Sequence, residues 1–103
     1  MLSLDDLCSK VSSYAPQMDL SVLRESYLFS EKAHQNQIRK SGDPYFSHPV
    51  EVATILAELE LDPICVSVGL LHDVVEDTLT SVEHISERFG KDIALLVDGV
   101  TKI

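Results

Sequence analysis

Lysine and arginine are scarce in this 103-residue chain: there are 8, against 17 aspartates and glutamates, for a formal net charge of −9. A surface that acidic is a poor partner for DNA, RNA or an anionic membrane, where binding rests on basic side chains neutralising phosphate. A small phosphorylated ligand stays open, because a bound metal can reverse the local sign. Cysteine is also sparse. Cys8 and Cys65 stand far apart in no CxxC or zinc-type spacing, where a small secreted domain would carry more, so a reducing cytoplasm is the expected location. The opening Leu4-Asp5-Asp6-Leu7 is acidic where a secretion signal would be basic. The longest apolar run, Ile93 to Val97, is too short to cross a bilayer.

Alternating strand patterns, repeats, low-complexity tracts and linkers are missing as well, which leaves an all-α chain expected to form one continuous unit over residues 1–103. At 45% hydrophobic residues it can build one core. Leu4, Leu7, Cys8 and Val11 repeat at helical spacing behind a Ser3/Asp6 capping pattern, and Pro16 closes that element. Asp19 is the expected cap of a second helix reaching about Gln37, and Lys40-Ser41-Gly42-Asp43-Pro44 reads as a loop. Ser47-His48-Pro49 opens a third helix with a Val52, Ile55, Leu56, Leu59 stripe. Asp62-Pro63 opens a fourth, expected to run unbroken through Asp77. Thr80 with Glu83 caps a fifth that Gly90 ends, and a sixth carries Ile93, Leu96, Val97 and Val100. Nothing later in the sequence is left to cover that last stripe, so it is expected either to pack back on the earlier helices or to be covered by self-association or by further parts of a larger protein.

The charge is concentrated. Residues 45–78 hold seven acids and no lysine or arginine, whereas residues 21–44 are the only basic stretch. Within the acidic third lies His72-Asp73-Val74-Val75-Glu76-Asp77. On one helix, with His72 at 0°, Glu76 falls near roughly 40°, Asp73 near 100° and Asp77 near 140°, opposite an apolar face. Acids on a helix face are ordinarily a solvated surface. Here no basic residue is near to relieve them, and a divalent cation would do so. Imidazole plus carboxylate suits manganese, iron or zinc more than calcium. His48, at another helix start, could converge on the same ion. His84 reads as a surface residue and His34 as a partly buried one. Arg39-Lys40-Ser41-Gly42 offers either cations at a helix C-terminus or a small anion or nucleotide site.

Ala33-His34-Gln35, Gln37-Ile38-Arg39-Lys40-Ser41-Gly42-Asp43-Pro44-Tyr45 and His48-Pro49-Val50 closely resemble the opening of the RelA/SpoT-type (p)ppGpp hydrolase domain. Gly69-Leu70-Leu71-His72-Asp73-Val74-Val75-Glu76-Asp77-Thr78 is similar to that family's HD signature, and Phe89-Gly90-Lys91-Asp92 with Val97-Asp98-Gly99-Val100-Thr101-Lys102 continues the match. The resemblance implies an HD-type helical bundle. It implies a manganese-dependent enzyme (another divalent transition metal being possible) that removes the 3′-diphosphate of ppGpp or pppGpp, giving GDP or GTP and pyrophosphate in stringent-response control. It assigns His48, His72 and Asp73 to the metal, Glu76 and Asp77 to catalysis on the attacking water, and Arg39, Lys40 and Ser41 to the guanosine nucleotide. In that family a further aspartate downstream completes the metal site, and Asp98 does not match it. The chain is therefore expected to be the N-terminal portion of a hydrolase or bifunctional synthetase/hydrolase, its bundle incomplete at the C-terminus. The alternative is a non-catalytic fragment or regulatory module of the same family.

Overall fold

A computed structural model describes residues 1–101, and its described residues form seven helices with no named strand. They are α1 (Leu4–Tyr14), α2 (Ser21–Ala33), α3 (Ser47–Glu58), α4 (Pro63–Leu71), α5 (Val74–Asp77), α6 (Val82–Phe89) and α7 (Lys91–Thr101). Their ends follow local chemistry. Ser3 Oγ accepts from the Asp6 N–H at 3.1 Å, and Asp62 accepts from the Cys65 N–H at 2.9 Å with Pro63 at the first helical position. Gly90 ends α6 at φ 97°, a conformation only glycine adopts freely. The α6 cap is Ser81, which accepts from the His84 N–H, not the expected Thr80; at α2 the cap position is Leu20, not the expected Asp19, whose carboxylate instead accepts the Ser21 N–H two residues on.

Helix α4 is the centre of the molecule. Its sequence Pro-Ile-Cys-Val-Ser-Val-Gly-Leu-Leu is apolar on nearly all sides, the signature of a helix with neighbours all round. Val66 and Leu70 pack into one cluster with Leu7, Val11, Leu23 and Val50; Val68 and Leu71 pack into a second with Val74, Ile85, Ile93 and Val97. Fully buried leucines such as Leu70 and Leu71 each stabilise the fold by roughly 1.5–3 kcal/mol. Gly69 permits the close approach of α4 to α3: a Cβ there would stand 2.7 Å from Leu56 Cδ1.

Several expectations are corrected. Helix α2 stops at Ala33 instead of near Gln37, because Asn36 turns left-handed at φ 71°, which asparagine tolerates and a helix cannot. Residues 39–42 consequently form a tight turn, not a helix end: the Gly42 N–H donates to the Arg39 carbonyl at 2.8 Å, below an Ile38–Pro44 bridge. The α3 stripe is rotated: Val50, Ala53 and Ala57 are buried, while Ile55 and Leu59 are mostly exposed, since the small residues admit α4. The fourth helix breaks after Leu71 and resumes at Val74, with Asp73 at ψ −7°. The last stripe divides: Ile93 and Val97 are buried, while Leu96 and Val100 border an apolar groove of about 400 Å³ with Val52, Leu56 and Val68. No helix among the described residues is long and apolar enough to cross a membrane.

Candidate metal centre

The break between α4 and α5 makes the site. On an unbroken helix, adjacent residues point about 100° apart and do not face each other. With the backbone flattened at Asp73, His72 Nε2 lies 3.1 Å from Asp73 Oδ1. His48, on the first turn of α3, brings its Nε2 to 3.2 Å from Asp73 Oδ2. One carboxylate thus stands between two imidazoles, and the side chain of Asp73 is only 13% exposed. One ligand atom from each of the three lies within 4.8 Å of the others.

Hydrogen bonding fixes how His72 presents itself. Its Nδ1 is 2.7 Å from the Gly69 carbonyl, one of the α4 C-terminal oxygens that the helix itself leaves unpaired. A carbonyl cannot donate, so Nδ1 carries the proton. The Nε2 of a neutral ring then aims a lone pair at a carboxylate oxygen 3.1 Å away, a repulsive contact that a shared cation would turn into coordination. The donor set, two imidazole nitrogens and a carboxylate anchored on buried helices, fits a divalent transition metal.

Glu76 and Asp77 follow on α5, both exposed. With Asp73 they form a second group of carboxylates whose oxygens lie within 4.8 Å of one another. They border an open polar hollow of about 540 Å³ with Gln37, Thr78 and Thr80. Arg39, Lys40 and Ser41 are not in contact with these acids. They stand exposed on their turn, lining a separate hollow of about 430 Å³; Arg39 reaches Glu51 at 4.0 Å and Ser41 donates to Asp43 at 3.0 Å. His34, expected to be partly buried, is 2% exposed, while His84 is exposed as expected.

Two residues overlooked in the sequence join the basic turn to the acids. The Tyr45 hydroxyl donates to Asp77 Oδ2 at 2.7 Å and reaches Asp73 Oδ2 at 3.3 Å, while its ring also borders the hollow above the basic turn. Burial, then the Asp77 hydrogen bond and the Asp73 charge, push the Tyr45 hydroxyl far above the usual tyrosine range, so it remains a donor. Gln37 donates from Nε2 to the Asp77 carbonyl at 2.6 Å and pairs its Oε1 with His34 Nδ1 at 2.9 Å. Only the left-handed Asn36 could have hinted that Gln37 leaves the helix and turns inward.

The HD domain family profile matches residues 26–103. A "GTP pyrophosphokinase" of Myxococcus xanthus is 54% identical over 93 residues, 90% of this chain and 12% of that protein. The "Bifunctional (p)ppGpp synthase/hydrolase SpoT" of Escherichia coli strain K12 is 43% identical over 103 residues, 100% of this chain and 15% of its own length. A "Guanosine-3′,5′-bis(diphosphate) 3′-pyrophosphohydrolase" of Escherichia coli O157:H7 gives the same identity and coverage. The chain therefore spans only about 12–15% of the length of these relatives.

Proposed function

The chain belongs to the HD domain family, in its RelA/SpoT branch, and on that premise we propose that it forms part of a metal-dependent hydrolase acting on the 3′-diphosphate of ppGpp or pppGpp, with GDP or GTP and pyrophosphate as products. The observation that carries the reading is the convergence of His48, His72 and Asp73, with the His72 proton committed to Gly69. Those three residues would hold the metal, with manganese the first choice. When bound, such an ion offsets phosphate charge and makes a water more acidic.

The remaining roles belong to the chain's own groups. Glu76 and Asp77, exposed beside Asp73, accept and relay the proton of the attacking water, as carboxylates within hydrogen-bond reach can. The water oxygen joins phosphorus as the bond to the 3′-oxygen breaks, and a proton returns to that oxygen. Arg39, Lys40 and Ser41 supply cations and a hydroxyl to the guanosine nucleotide from the one basic turn.

A second reading is a module that binds nucleotide without turnover, favoured by the basic turn lining a hollow of its own, apart from the acids. One experiment separates them: the chain is mixed with Mn²⁺ and ppGpp, and pyrophosphate release and nucleotide binding are measured with and without a chelator. Chelator-sensitive release is expected. Binding without release selects the second reading, and neither activity sinks both.

A further inference from the structure

Asp77 sits on α5, a helix of only four residues, too short to hold a side chain in place by its own hydrogen bonds. Two links from another part of the chain secure it, and a third ties their donors together. The Tyr45 hydroxyl donates to its carboxylate at 2.7 Å, Gln37 donates to its backbone carbonyl at 2.6 Å, and the Tyr45 N–H is itself tied to the Gln37 carbonyl at 2.8 Å. The frame is anchored below. The Tyr45 ring lies 4.8 Å from the ring of His34, a 2% exposed residue whose Nδ1 pairs with Gln37 Oε1.

We propose that Tyr45 is a positioning residue: its hydroxyl clamps the Asp77 carboxylate beside Asp73, and its ring sets the height of the nucleotide-binding turn against that carboxylate. The geometry assigns the two parts of the side chain different duties. The single hydroxyl proton cannot serve both acids equally. At 2.7 Å against 3.3 Å it belongs to Asp77, leaving Asp73 Oδ2 to face His48. Asp77 keeps its second oxygen for proton transfer, which needs heavy atoms held within a few tenths of an ångström. The ring borders the same hollow as Arg39, Lys40 and Ser41, so its removal acts on nucleotide affinity instead.

The functional half of this inference rests on the hydrolase reading above, so its test has one arm that does not. Amide hydrogen exchange of the metal-free chain reads the clamp directly. In Tyr45→Phe, which keeps the ring, exchange at the Asp77 and Thr78 N–H groups is expected to quicken about tenfold, with core helices unchanged. Unchanged exchange there overturns the clamp whatever the chain catalyses. The second arm is pyrophosphate release. Tyr45→Phe is expected to lower kcat about 10–100-fold with KM held within about twofold, whereas Tyr45→Leu raises KM as well. Adding Asp77→Asn to Tyr45→Phe is expected to slow the reaction no further than Asp77→Asn alone, because clamp and clamped group act as one unit. Equal losses in kcat and KM in Tyr45→Phe, or full additivity in that cycle, overturn the positioning role. A wild-type chain that releases no pyrophosphate fails the hydrolase reading, and the clamp is then decided by exchange alone.

Discussion

His48 on α3 and His72 and Asp73 at the α4–α5 junction are held by helices whose other faces are core, whereas Arg39, Lys40 and Ser41 stand on a turn closed by backbone hydrogen bonds. The first group is half-buried, with both imidazoles within hydrogen-bond distance of the one carboxylate; the second is exposed and spread along its hollow. The difference matches what each is proposed to hold. A small cation rewards ligands fixed in advance, because every ligand that moves costs order at binding. A nucleotide is large and jointed, and long cationic side chains can settle around it after contact.

The contrast predicts its own largest effect on the rigid side. Asp73 is the carboxylate shared by both imidazoles. Asp73→Ala leaves the two imidazoles with nothing between them, and Mn²⁺ affinity is expected to fall more than about 100-fold, beyond what loss of an outer-shell partner causes. Calorimetric titration of wild type and variant reads this; an affinity within a few fold of wild type would move the cation elsewhere and remove the basis of the comparison.

On the adaptable side the effect is smaller and of another kind. Arg39 meets Glu51 only at 4.0 Å, with both side chains open to solvent. Arg39→Ala and Lys40→Ala are therefore expected to change unfolding free energy by less than about 0.5 kcal/mol. Each is expected to raise KM for ppGpp about tenfold while sparing kcat, as loss of a charged contact to phosphate would. Steady-state kinetics and urea unfolding on the same preparations decide it. A stability loss with unchanged KM would make the turn a structural element and not a binding one.

The rigid side was also the more legible in the sequence. Six of the seven helices, the caps at Ser3, Asp62 and Gly90 and the clustering of His72 with Asp73 follow from spacing, because a buried helix must repeat its apolar residues and a cap needs a particular side chain. The convergence of His48 was readable only as a possibility, since nothing local reports how α3 meets α4. Three features were lost for physical reasons. The break at His72-Asp73 carries no proline or glycine, as Gly69-to-Asp77 keeps helical spacing throughout. The α3 stripe was read from its largest apolar residues, although Ala53 and Ala57 are what allow α4 to approach. Tyr45 and Gln37 act through contacts 28 to 40 residues away in sequence, which no local pattern encodes.

The smallest effect separates carboxylates that serve the fold from those that serve the site. Asp19 accepts the Ser21 N–H at 2.9 Å just before α2. Backbone and side-chain hydrogen bonds from Ser21 hold its carboxyl below the usual range. A group whose folded pKa is depressed adds stability above its unfolded pKa, about 3.9, and that stability is lost as pH falls through the lower folded value. Asp19→Asn keeps an acceptor oxygen but no charge. Wild type is therefore expected to be slightly more stable than Asp19→Asn at neutral pH, and the gap should close once the carboxyl is protonated. Urea midpoints measured for both from neutral pH into acid test this. A gap that persists in acid would show that the amide disturbs the turn into α2 by its shape, and the charge of Asp19 would then add nothing to the fold.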